Sequence, residues 1–300
     1  MKVYISFAIT DNPHGGGNQF LKCLKKQFLK TGHLTLDPST ADIILYNGHH
    51  EIQNTASLKS KYPSKKFIHR IDGLQKLYNN QNDTRQDLAI SYNKLSHATV
   101  FQSHWAKNEF YKADFDPAKS TVIHNFADSK IFNRSHERPQ NKKIELLCTS
   151  WSPNPKKGFV FYKKLDAILD FNRFNFTFVG NRPENIIYKN IKCLAPETTI
   201  NIAKRMKETD VFVSATEDDC CSNSIIEALS SGVPTLALNS GGNPELVKEG
   251  GLLFENLEDF VQKLSLITSN IEHYKKHICV KTAKETAEQY LNFFYEISEH

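Results

Sequence analysis

Short runs of β-branched and aromatic residues alternate with helix-length stretches along the whole chain. Strands separated by helices build βαβ units, and such units force a parallel sheet covered by helices on both faces. In the first half the strand candidates are 3–9, 42–46, 66–69, 99–102 and 121–124, with helical patterns at 18–30, 84–95 and 103–112. The polar stretch 133–142 contains Pro139 and has no apolar period, so it reads as a linker. A second series follows, with strands at 144–149, 175–179, 191–194, 211–214, 235–238 and 252–254. Its helices fall at 159–169, 200–207, 222–231, 243–248 and 257–269. The expectation is α/β architecture in two doubly wound, Rossmann-like domains, 1–140 and 141–300, whose parallel sheets face a central cleft. The last stretch, 272–299, is helical, with apolar residues at Tyr290, Leu291, Phe293, Phe294 and Ile297. It is expected to pack back on the first domain.

Composition narrows the class. Of the 300 residues, 39% are hydrophobic and 24% charged, which excludes a disordered or fibrous chain. No apolar run reaches the roughly 18 residues of a membrane-spanning helix. The opening residues read as a strand rather than an export signal. The six cysteines form no CxxC pair, which argues against a zinc or thioredoxin-type site. With no export signal they are expected reduced, in a cytoplasmic protein, and the Asn-x-Ser/Thr matches at Asn82, Asn133 and Asn175 are chance. The net charge of +5 is uneven: residues 1–140 hold 19 Lys and Arg against 12 Asp and Glu. That basic half suits an anionic surface or substrate, or simply solvates its helices.

Chemistry concentrates in 216–247. A strand ends in the acidic turn Glu217-Asp218-Asp219, followed by Cys221-Ser222-Asn223-Ser224 and a helix with the buried stripe Ile225, Ile226, Ala228 and Leu229. A helix start presents free N–H groups, a ready site for a diphosphate. Glu227, placed in the first turn, can accept hydrogen bonds from a ribose diol. The plainer reading makes Ser222 an ordinary N-cap and Glu227 a complement to the helix dipole.

The same stretch resembles the donor-site signature of retaining glycosyltransferases of family 4 (glycosyl transferases group 1), which have the GT-B fold. The matching residues are Asp219, seven residues, Glu227, then Ser231-Gly232-Val233-Pro234 and Gly241-Gly242-Asn243-Pro244-Glu245. The family's first acid is normally Glu, and Glu217 or Asp218 could substitute for the shorter Asp219. At the N-terminus, Gly15, Gly16 and Gly17 follow the first strand, in a loop that in the family faces the donor diphosphate. Lys157-Gly158 matches the family's Lys-Gly pair, which implies that Lys157 steadies the leaving diphosphate. The family's Gly-Arg six residues earlier is Ser150-Trp151 here, so Lys156 or Arg70 shares that task. His69 is placed against the transferred sugar, with Arg70 and Asp72 beside it. Gly180 matches a strand-end glycine over the donor.

The resemblance implies transfer of a sugar from a nucleotide-sugar to an acceptor hydroxyl with retention. It implies catalytic residues His69, Lys157 and Asp219, and donor-binding residues Gly15, Gly16, Gly17, Gly180, Ser222, Asn223, Ser224 and Glu227. Arg70, Asp72, Lys156 and Glu217 are further candidates. No cofactor and no metal are implied. The partners are a nucleotide-sugar and a glycan or lipid-linked acceptor; no motif suggests nucleic acid. On helix 18–30, Lys22, Lys25, Lys26 and Lys30 either solvate one face or meet anionic lipid as a peripheral contact at the inner membrane. Three other readings stand beside this one: a nucleotide-sugar epimerase, an NAD-dependent Rossmann enzyme, which the missing GxGxxG opposes, and a weakly active sugar-nucleotide-binding subunit.

Overall fold

The computed structural model describes residues 1–10, 16–134 and 143–299. The chain divides into two compact units, one formed by 1–126 with 281–300 and the other by 127–280. The division therefore falls after Phe126 and again after Val280, where the sequence reading cuts the chain once, at 140. Most of the expected linker, 135–142, lies outside the described residues, as does Gly15.

The first unit is a parallel sheet of β1 (Val3–Ser6), β2 (Ile43–Asn47), β3 (Lys66–Arg70), β4 (Ala98–Phe101) and β5 (Ser120–Val122), in that spatial order. Strands β2 and β4 are buried along their full length, as strands covered on both faces must be. Its helices are α1 (Gly16–Lys30), α2 (Ile52–Lys61), α3 (Gln75–Tyr78), α4 (Arg85–Asn93) and α5 (His104–Lys112). A monotonic strand order has no reversal, but one parallel bridge supplies it: Val3 pairs with Leu34. Val3 exchanges hydrogen bonds with His33 and Thr35 on one edge, while Lys2 accepts from Ile43 on the other. The chain thus steps from β1 to one side and returns past it to β2, and the reversal lies at the carboxyl end of β1.

The second unit contains β6 (Ile144–Ser150), α6 (Phe159–Ile168), β7 (Phe174–Gly180), β8 (Lys192–Leu194), α7 (Thr199–Glu208), β9 (Val211–Ser214), α8 (Asn223–Ser230), β10 (Thr235–Leu238), α9 (Asn243–Val247), β11 (Gly251–Phe254), α10 (Leu257–Ser269) and α11 (Ile271–His277). Its sheet runs β11-β10-β9-β6-β7-β8, all parallel. Counted from its own first strand this is the order 3-2-1-4-5-6, with the reversal between β6 and β9. Apolar clusters line both faces, one around Phe159, Tyr162 and Phe178, the other around Ile225, Leu229 and Phe212.

Strand placement follows the sequence closely, with edges shifted by a few residues. The helix α2 was not legible, because it buries only Thr55 and Leu58 and so carries no apolar period. The expected single tail helix is two, interrupted after His277. The second, α12 (Ala283–Ser298), starts with a capping box in which Thr282 and Glu285 satisfy each other's backbone N–H. Its Tyr290 and Phe294 pack on Phe20 and Phe28 of α1, inside the first unit's core.

Candidate active site

In the second unit the expected residues gather where the strand order reverses. Pro155–Lys157 forms one 3-10 turn after β6, fixed by the Asn154 side chain accepting from the Lys156 N–H at 2.9 Å. The loop after β9 is laced to that turn and to the loop after β10. Glu217 N–H donates to Lys156 O (2.8 Å), Asp218 N–H to Ser240 Oγ (3.0 Å), and Gly242 N–H to Asp219 O (2.8 Å). Asn243, fully buried, donates to Thr216 O and Leu238 O at 3.1 Å each. These anchors hold Asp219 so that Oδ1 accepts from Cys221 N–H (3.1 Å) and Oδ2 from Lys157 Nζ (3.0 Å). Lys156 pairs with Asp218 in the same manner. Each pair is about three-quarters or more buried, so solvent screens it only in part. The Glu217 side chain is exposed.

Helix α8 opens three residues after Cys220. Ser222, its N-cap, makes no side-chain cap bond, so the ordinary capping role proposed for it is not realised. Its hydroxyl instead lies 3.1 Å from that of Ser224. The helix begins at Asn223, which puts Glu227 in the second turn rather than the first. Glu227 is half-buried. Among the described residues no hydrogen bond or ion pair reaches its carboxylate, and burial pushes it up to about 8. Gly180 ends β7 at φ 137°, and a Cβ there would fall 1.8 Å from Ser150 O. Only glycine lets β7 close on β6 at that point. Trp151, in the place of the family's arginine, is 47% exposed, and its carbonyl accepts from Asn181 Nδ2 at 2.7 Å.

The first unit corrects two expectations. His69 is completely buried and stacks on Tyr46 with centroids 4.5 Å apart. Its Nε2–H donates to Gly48 O and its Nδ1 accepts from Asn93 Nδ2, both at 2.9 Å. With both nitrogens used in a neutral tautomer and burial pushing it down to about 4, it has no group left for a sugar. Arg70 is also fully buried, bonded to Asn47 Oδ1 (2.5 Å) and Asn125 Oδ1 (2.7 Å), and its guanidinium lies 4.4 Å from the Phe20 ring centroid. Its guanidinium is enclosed within the first unit. Its Nη1 instead meets Asp72 Oδ1 at 3.3 Å, and Asn47 and Gln102 also donate to that carboxylate. Gly16 and Gly17 open α1, with Gly17 against Asn47. Asn125 lies in 124–128, which resembles the family's Asn-Gly-Val-Asp turn, whereas the strand-end amides Asn47 and Gln102 had only position as their signal, a polar residue closing an apolar run.

Comparison with known proteins bears on the family and the fold. Residues 142–270 match the family model of glycosyl transferases group 1. Sulfoquinovosyl transferase SQD2 of Arabidopsis thaliana is 35% identical over 88 residues, a stretch spanning 27% of this chain and only 17% of that protein. Among solved structures, sucrose-phosphate synthase of Thermosynechococcus elongatus superposes with TM-score 0.72 at 13% identity, over 99% of this chain and 96% of that one. HepE of Anabaena in complex with UDP-glucose gives 0.71 at 15% identity, over 100% and 98%. The architecture is GT-B, two α/β units each built on its own parallel sheet.

Proposed function

We propose that this chain is a retaining, metal-independent hexosyltransferase that moves a sugar from a nucleotide-sugar to a hydroxyl of a glycan, glycolipid or other glycoconjugate. The observation that carries the reading is the Lys157–Asp219 pair beside the start of α8, where Ser222 makes no side-chain cap bond, at the sheet reversal of a unit that matches group 1 glycosyl transferases. The donor diphosphate takes Lys157 from Asp219 and accepts from the first N–H groups of α8. The bond between the sugar's anomeric carbon and the phosphate oxygen breaks, and its electron pair leaves with the diphosphate. The acceptor oxygen bonds the same carbon from the same face, and its proton passes to the leaving phosphate. Positioning and charge stabilisation supply the rate. Asp219, released from Lys157, turns to the sugar.

Glu227 takes the ribose diol. A carboxylate that accepts two hydrogen bonds favours ionisation, so the raised Glu227 must fall on binding and release a proton near pH 7. Calorimetry in buffers of different ionisation enthalpy reads that release.

The acceptor is placed on the first unit, where Lys26, Leu29 and Lys30 are exposed on α1 and suit an anionic membrane surface. Among the described residues no helix is long and apolar enough to cross a membrane. Unchanged liposome partition after Lys25→Glu with Lys26→Glu would count against that contact.

The test is a thermal-shift panel of UDP-, GDP- and ADP-sugars, starting from UDP-glucose. At least one donor should raise Tm, Glu227→Ala should abolish the shift, and the anomeric product should keep the donor's configuration with chelator present. Inversion, or conversion of donor without acceptor, overturns the reading.

A further inference from the structure

Strand β2 leaves the sheet through a turn that no part of the donor chemistry uses. Gly48 and Glu51 bracket it in left-handed conformation, each at φ 53°. Between them, His49 and His50 stand with ring centroids 4.1 Å apart, and the edge of Phe7 meets His50 at 5.5 Å. Asp72, just beyond β3, faces the same turn. One ligand atom from each of His49, His50 and Asp72 can be chosen so that all three lie within 4.8 Å of one another.

The carboxylate is held in place. Gln102 Nε2 (3.1 Å) and Arg70 Nη1 (3.3 Å) donate to Oδ1, and Asn47 Nδ2 donates to Oδ2 at 3.2 Å. Oδ2 keeps a lone pair beyond that one donor. The backbone of the turn is equally fixed, because the buried His69 donates to Gly48 O at 2.9 Å. Gly48 itself lies hard against Asp72, so that a Cβ on it would sit 2.4 Å from Oδ2. A glycine, a second-row histidine and three amide or guanidinium donors therefore converge on the arrangement of three ligand-type side chains.

We infer that His49, His50 and Asp72 form a binding site for a divalent cation of the zinc class within the first unit. Two imidazoles and a carboxylate suit zinc, cobalt or nickel and not magnesium or calcium, which prefer oxygen. Tetrahedral bonds of about 2.0–2.1 Å place ligand atoms about 3.3 Å apart, so rotations of about an ångström close the present arrangement on the ion. The outer partners of Asp72 do what outer partners of metal ligands do: they orient the first ligand before the ion arrives. Arg70 acts against the ion's charge and leaves Oδ2, not Oδ1, as the ligating atom. Three protein ligands leave a fourth position for water or a hydroxyl oxygen. The ion would tie the turn after β2 to the segment after β3.

The test uses the full chain without a histidine tag, stripped with chelator and titrated with Co2+, whose tetrahedral complexes absorb visible light strongly. One equivalent should produce the band, and Zn2+ should displace it. His49→Gln and His50→Gln should each weaken binding by about tenfold or more, and Gly48→Ala should do the same by displacing Asp72. His50 is exposed, so its replacement keeps the fold, which circular dichroism checks. The rival is the exposed pair His273 and His277 on α11, with ring centroids 4.4 Å apart. His277→Gln should leave the band intact. No band in the wild type, or a band that survives His50→Gln, overturns the site. The nucleotide-induced thermal shift of His50→Gln should equal that of the wild type, so the donor reading stands or falls on its own.

Discussion

At the carboxyl end of the first unit's sheet, Arg70 is fully buried and directs its guanidinium to Asn47, Asn125 and Asp72. In the second unit, Glu227 is half-buried with nothing among the described residues to receive it. His69 and Lys157 repeat the contrast. Both hydrogen-bonding atoms of His69 are occupied by neutral groups, while Lys157 donates to the Asp219 carboxylate, which another anion can replace. Strand-end polar residues are therefore not equivalent. Those enclosed by fixed partners of their own unit build the scaffold. Those held by exchangeable charges, or by nothing, keep binding energy in reserve for a ligand.

The contrast breaks most sharply at Arg70. Arg70→Met leaves Asp72, Asn47 and Asn125 without their shared donor, and should destabilise by about 3–5 kcal/mol in urea titration. If the cost is under about 1 kcal/mol, the first unit's cluster is not a scaffold.

Glu227→Gln should act in the opposite direction. The folded carboxyl titrates at about 8, above its ordinary 4.5, so the folded state holds an extra proton between those values. Stability from this group is present below about pH 4.5 and is lost as pH rises through 8. The glutamine variant should match the wild type near pH 4 and exceed it at pH 9, by on the order of a few kcal/mol. Tm against pH for both proteins reads the difference.

His69 supplies the mirror slope. Its folded value of about 4 lies below the ordinary 6.5, so the unfolded chain takes up a proton first as pH falls. Up to about 3 kcal/mol should be lost between pH 6.5 and 4, and His69→Gln should flatten that limb. A kinetic pH profile that follows His69 would instead return it to the catalytic set.

The smallest effect on stability should come from Lys157→Met. A partly exposed pair contributes about 1 kcal/mol or less, yet the same change should weaken nucleotide-sugar binding by about tenfold or more. Denaturation and thermal shift, measured together, separate the two roles. Equal losses in both would make Lys157 a scaffold residue like Arg70.

Much of this was legible along the chain. The alternation of apolar runs and helical patterns fixed both parallel sheets, because strands buried on two faces must read as continuous apolar runs. The resemblance to the family signature, and not the local pattern, marked Lys157, Asp219 and Glu227 as a group. Helix α2 escaped because two buried residues leave no period to detect. The tail was half visible: Tyr290, Leu291 and Phe294 announced a buried face expected on the first domain, but nothing announced the break into two helices after His277.

The residue types alone determined the class of architecture and the chemical capacities at the strand ends, because burial period and ionisable groups are local properties. Whether a capacity is spent internally or left for a ligand was decided only by tertiary structure. His69 looked like a sugar contact until Gly48 and Asn93, 21 and 24 residues away, were found on its two nitrogens. Hydrogen-bond satisfaction depends on what folding brings within about 3 Å, and no spacing in one chain encodes that distance.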